Sequence, residues 1–303
     1  MKKQIKLAAT LLMATPLVLL TSCGGDEPVE EVVEEVVEEV VEERNEEYYQ
    51  IPSPDEMFGF IKESGLKFNG ELLNDIQASS SYTEPTKQAM NFGIYSADLA
   101  YTAAYEEFNE TTKYFGTIQK MAEPIGISSA FDKTLIERAQ SNLDNADSLV
   151  AITNTSYFAV VDYLDQNQQG DKLGIIAASG WLETVYIVAN TANYDNDKAA
   201  IDRLADQRLT LDNLIDYFAK YEERAEVKEI AGWLNELEAV FAVSENESEE
   251  SGSGISFKKK DDGKMVLGGS SESKSSSISK DQFEAIKSKV NEIRNKIIST
   301  EEA

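Results

Sequence analysis

The sequence predicts an all-α protein, an antiparallel multi-helix bundle built from helical hairpins. Two observations carry this. Apolar residues repeatedly step by three and four, as one face of a 3.6-residue helix requires, and almost no stretch alternates apolar and polar with the period of a half-buried strand. The periodic stretches are also long and joined by short polar turns, which favours antiparallel neighbours. Stacking of the tetratricopeptide kind is a minor alternative, since no clean 34-residue repeat with its Trp, Gly and Pro positions is present.

The chain opens with Met1-Lys2-Lys3-Gln4-Ile5-Lys6, short and cationic, followed by an apolar run from Leu7 to Leu20. Fourteen helical residues reach about 21 Å, less than the roughly 30 Å hydrocarbon core of a bilayer. A positive start, a short apolar middle and small residues at its end are the pattern of an export signal, assigned here to residues 1–22. The run ends in Leu20-Thr21-Ser22-Cys23. This Leu-small-small-Cys pattern resembles the lipobox of bacterial lipoproteins. The resemblance covers only the first 25 or so residues. It implies diacylglycerol on the Cys23 sulfur, cleavage before Cys23 and acylation of the new amino terminus. Acyl chains contributing about 0.8 kcal/mol per buried CH₂ would then hold the protein on a membrane. Cys23 is the single cysteine, so no intrachain disulfide can form and the core must be held by apolar packing.

Residues 23–50 form an acidic spacer. Val29-Glu30-Glu31-Val32 starts a four-residue unit that recurs to Arg44, and twelve acidic residues face one arginine between Asp26 and Tyr49. On a helix such a unit drifts by about 40° per repeat, so its valines spiral instead of forming one stripe. Glutamates four apart repel. The expectation is a solvated stalk, with a coiled coil through the valines as an alternative. Gly24-Gly25-Asp26-Glu27 loosely resembles the acidic stretch that follows the lipidated cysteine in surface-displayed Bacteroidota lipoproteins. That implies an outer-membrane lipoprotein, on either its periplasmic face or the cell surface.

Residues 51–243 are the expected helical domain. Ser53 and Pro54 suit the first turn of a short helix through Ile61, and Leu72, Leu73 and Ile76 suggest another short apolar turn. Met90, Ile94, Ala97, Tyr101, Ala104 and Phe108 then make one helical stripe. Gly93, Ala97, Ala100 and Ala103 leave a second face small enough for close helix approach. Asp98 lies inside this apolar run. Buried, it needs a partner, either a Tyr, Ser or Lys of the bundle or a ligand. Helix is expected again from Thr111 to about Ala122, stopping at Pro124 and Gly126, and from Phe131 to Tyr163 with a break near Thr153-Asn154-Thr155-Ser156. A further helix spans Asp171 to Asn190; its Gly180 invites comparison with Gly93 as an internal duplication, with few identities in support. Two more follow, through Ile201, Leu204, Leu211, Leu214, Phe218 and Tyr221, and through Val227, Ile230, Leu234, Leu237 and Phe241.

Residues 244–279 have linker composition. Within them Ile255–Lys258 and Met265–Leu267 flank Asp261-Asp262-Gly263, a hairpin signal. Residues 280–303 carry a final amphipathic helix whose Phe283, Ile286, Val290, Ile293 and Ile297 form a seam that must be buried, by docking on the bundle or on a partner.

Composition excludes much. The chain carries 55 acidic and 28 basic residues, a net charge of −27. Loss of Lys2, Lys3 and Lys6 with the signal takes this to −30. Such a surface disfavours nucleic acid. With no histidine in 303 residues, His-dependent triads and the commonest transition-metal ligand are missing. No phosphate loop or dinucleotide motif is present. Asp165-Gln166-Asn167-Gln168-Gln169-Gly170 imitates the opening of an EF-hand, but Ile176 stands where its bidentate Glu belongs, so a helix C-terminus capped by Gly170 is expected. Asp195-Asn196-Asp197 reads as a helix-start turn. The expectation is therefore a non-enzymatic, membrane-anchored envelope lipoprotein that needs no cofactor and whose body binds a protein partner or serves assembly. The alternative is a small-ligand receptor with a pocket formed by Tyr95, Asp98, Tyr101 and Trp181.

Overall fold

In the computed structural model, residues 58–59, 62–142, 145–242, 256–259, 265–268 and 278–300 are described. The chain divides into a unit Met1–Glu47, outside the described residues, and a unit Tyr48–Ala303. The lipobox with Cys23, the stalk, and the Ser53-Pro54 helix start all lie outside the described residues.

Apolar stripes are stable only when buried, and here they converge on one hub. Two 3₁₀ turns, Gly70–Leu72 and Ile76–Ser80, lead into α1 (Pro85–Ala104). Then come α2 (Phe108–Met121), α3 (Lys133–Gln140), α4 (Ala146–Gln166), α5 (Gly170–Thr191), α6 (Lys198–Ala219), α7 (Ala225–Phe241) and α8 (Lys280–Ile298). The helices pack antiparallel. α5 is the hub: it lies against α1, α4, α6, α7 and α8. By length and composition it could cross a membrane, but it is buried among its neighbours as a core helix. α8 returns from the far end of the chain to α5, α7 and α1, closing a bundle in place of an open stack of hairpins.

α1 and α5 approach most closely where both are smallest. A Cβ at Gly93 would strike the Ile176 carbonyl, Ser179 Cβ and the Gly180 backbone. Gly93 and Gly180 are thus two sides of one crossing, where a close backbone approach demands small residues on both helices. α8 docks differently. Its Phe283, Ile286, Val290, Ile293 and Ile297 are all buried, worth on the order of 10 kcal/mol before the entropy of ordering the helix is counted.

Several boundaries depart from expectation. The stripe through Phe108 is two helices: α1 ends at Ala104, Glu106 takes φ 63°, and the Glu107 N–H reaches back to the Thr102 carbonyl at 2.9 Å. This is a Schellman closure without glycine, so composition did not mark it. α4 ends the same way, with Gln168 at φ 56° and the Gln169 N–H on the Leu164 carbonyl. The EF-hand-like segment is therefore a helix C-terminus, but its left-handed residue is Gln168. Gly170 instead opens α5, in close contact with Tyr217 and Tyr221. The expected helix from Phe131 to Tyr163 breaks between Gln140 and Ala146, where Asn145 accepts the Ser148 N–H at 2.8 Å. Thr155 and Ser156 sit inside α4, their hydroxyls donating to the Ala151 and Ile152 carbonyls, a back-bond that lets hydroxyl residues remain helical. Asp197 precedes α6 as anticipated. Among the described residues the β-structure is one antiparallel pair, β1 (Ser256–Lys259) and β2 (Met265–Gly268), with Phe257 opposite Leu267.

Candidate functional site

Among the described residues, three charged side chains lie inside the bundle: Asp98 on α1, Glu183 on α5 and Arg294 on α8. Asp98 and Glu183 have no exposed surface and Arg294 is 5% exposed. Isolated charges cannot remain in such a place, and these do not. Arg294 grips Glu183 at two points, Nε to Oε2 at 2.6 Å and Nη2 to Oε1 at 2.8 Å. Nη2 also donates to the Leu72 carbonyl at 2.9 Å. The guanidinium lies 4.0 Å from the centre of the Tyr186 ring, so one face of the cation rests on π-density.

Asp98 Oδ2 accepts the Asn74 N–H at 3.1 Å, and Tyr114 donates to the Asn74 carbonyl at 2.7 Å. Tyr95 donates to the Asp75 carbonyl at 2.6 Å. The network reaches the end of α8: Asn91 Nδ2 donates to the Ile297 carbonyl (2.9 Å) and Lys87 Nζ to the Ser299 carbonyl (2.6 Å). Helix α8 thus has terminal carbonyls, which no intrahelical N–H can reach, received by side chains of α1.

Burial pushes the Asp98 carboxyl well above the usual carboxylate range. The neighbouring Glu183 charge pushes the same way, while Arg294 and the Asn74 N–H oppose it. Burial also raises Glu183, against the opposing charge and hydrogen bonds of Arg294 and a hydrogen bond from Asp98. Both carboxyls are pushed toward the neutral form, and the two-point contact with Arg294 favours the anion on Glu183. For Arg294, burial disfavours the charge but Glu183 outweighs it, and the guanidinium stays ionised. Burial raises the phenols of Tyr82, Tyr95 and Tyr114 as well, so they remain neutral donors.

Of the four residues expected to share a pocket, Tyr95 and Asp98 lie together at this network. Tyr101 belongs to an aromatic cluster with Phe58, Phe68 and Tyr105, ring centroids about 5 Å away, and its hydroxyl accepts the Asn69 N–H. Trp181 turns toward α6 and donates to Gln207 Oε1 at 3.0 Å. All four are buried, and none lines either of two cavities among the described residues. One, of about 20 Å³, is walled by Phe92, Leu99, Ile118, Phe131 and Tyr157 and has room for about one water. The other, of about 200 Å³, lies between Ser79, Tyr82, Gln88, Lys120 and Pro124. Among the described residues no group of three or more carboxylates could hold a metal ion.

Glu183 and Arg294 were missed as members of this network. The signal was partial: Glu183 is an isolated charge in an apolar run, between Leu182 and Thr184, whereas Arg294 shares the interval from Ile293 to Ile297 with Lys296. Together with Asp98 they make three buried charged groups, satisfied partly by one another and partly by the backbone of Leu72 and Asn74. No protein-family model, curated protein or solved structure matches this chain.

Proposed function

We propose that the protein is a lipid-anchored component of a bacterial envelope whose helical body binds or assembles with another protein and performs no catalysis. The observation that carries this reading is Leu20-Thr21-Ser22-Cys23 at the end of a short apolar run that follows three lysines. The body's chemistry is consistent with it. Its buried charges are directed at one another and at backbone carbonyls, not toward an open cleft. The acidic surface suits a basic protein partner on electrostatic grounds, and the outer membrane, on its periplasmic face or at the cell surface, is the proposed address.

The address is tested by mass spectrometry of the mature amino terminus. An acylated Cys23 is expected, and Cys23→Ser should move the protein from the membrane fraction to the soluble one. A mature terminus elsewhere overturns the reading. The role is tested by cross-linking in intact cells followed by pull-down, with a discrete envelope protein as the expected product. Turnover of a substrate by the purified protein, lost on changing one acidic or serine residue, would overturn it. A second reading, a small-ligand receptor, is favoured by the 200 Å³ cleft beside Tyr82 and Lys120. A ligand-induced rise in melting temperature, abolished by filling that cleft with Ser80→Trp, would support it over the first.

A further inference from the structure

Asp98 and Glu183 are both fully buried and oppose one another's charge, and two anions are kept from sharing that interior only while one of the carboxyls carries a proton. The place for it is Asp98 Oδ1, which is buried and accepts from no donor, whereas Oδ2 takes the Asn74 N–H. Glu183 is committed as the anion by the two-point grip of Arg294. With the proton present, the cluster is one anion and one cation. Without it, two buried anions face one cation.

Among the described residues, the other groups facing Asp98 offer no second positive charge. They are Tyr95 on its own helix, Tyr114 on α2, Tyr186 on α5 and the Asn74 backbone, with Tyr82 and Asp75 just beyond them. The cation that faces the pair belongs to α8.

We propose that α8 is a proton-dependent latch: it is seated tightly while Asp98 is a neutral acid, and its docking weakens when that proton is lost. The direction follows from linkage. With α8 undocked, Asp98 meets water and ionises in the ordinary carboxylate range; docked, it holds its proton to higher pH. Docking thus takes up one proton. The stability gained from it is fully present below the ordinary carboxylate range and is lost as pH rises through the docked-state value. Within that window the opening equilibrium rises by at most about tenfold per pH unit. The chain has no histidine, so the side chain that ordinarily titrates between pH 5 and 8 cannot produce such a slope.

Hydrogen exchange of the full chain, read as protection factors from pH 5 to pH 8, tests this. Amides of α8 between Ile286 and Ile297 should lose protection as pH rises, with a slope of at most about tenfold per pH unit while the proton is being lost, while those of α6, which carries neither carboxyl, stay level. Asp98→Asn keeps the contacts to Asn74 and Glu183 but has no proton to lose, and its α8 profile should be flat. Glu183→Gln leaves Asp98 as the single anion opposite Arg294 and should also be flat; it carries the comparison if Asp98→Asn does not fold. A flat wild-type profile, parallel loss in α6, or a slope retained in the folded variants would each overturn the proposal.

Discussion

α5 and α8 both lie against α1, but they are held there by opposite means. The α1–α5 crossing is made of absences: Gly93 and Gly180, with Ala97, Ala177, Ala178 and Ser179 around them, let backbone approach backbone. The α8 seat is made of presences: five large apolar side chains along the helix, an ion pair in the middle and side-chain caps on its last carbonyls. The first interface should fail when volume is added. The second should fail when a specific group is taken away.

The largest effect is expected from Arg294→Met. It keeps much of the apolar length but strands Glu183 beside Asp98, and breaking one partner out of a buried pair costs about 3–5 kcal/mol. Urea denaturation should show that loss, and α8 should become the most readily cleaved helix in limited proteolysis. Next comes Gly93→Ala. The added methyl meets backbone atoms of α5, which cannot turn aside as a side chain would, so about 3 kcal/mol is expected, the upper end of overpacking costs. Ile286→Val, in the α8 seam, removes one buried methylene and should cost only about 1 kcal/mol. If it costs as much as Gly93→Ala, the two interfaces are not different in kind. The smallest change has the opposite sign. Gly116 of α2 has nothing within 4 Å of where a Cβ would stand, so Gly116→Ala should raise stability by about 0.5–1 kcal/mol. The two glycine variants together separate packing necessity from backbone entropy.

The helical class was legible because every long element carries a stripe, and α8 was the clearest, its five seam residues all buried as the spacing required. Boundaries were legible where the chain uses glycine or proline, as at Gly126, whose φ of 76° ends the segment after α2. They were hidden at Glu106 and Gln168, where ordinary residues adopt the left-handed turn because the tertiary setting stabilises it. Near α1 that setting includes the Tyr105 hydroxyl on the Leu66 carbonyl. The candidate site was half legible. Asp98 announced itself as a charge inside an apolar run, but its counter-groups lie 85 and 196 positions further along, and no periodicity connects helices that distant. Tyr101 and Trp181 shared its aromatic surroundings in sequence while pointing to other neighbours in space.

Arg294 follows Glu183 by 111 residues, and this spacing governs the order of assembly. During synthesis the two helices that carry the acids are made well before the arginine that accompanies them inside. Until that late helix is present, the carboxyls of α1 and α5 face water in place of the guanidinium. A chain cut short upstream of it would leave that face uncovered and open to proteases. The fold therefore carries its own proof of completion, written in a single guanidinium.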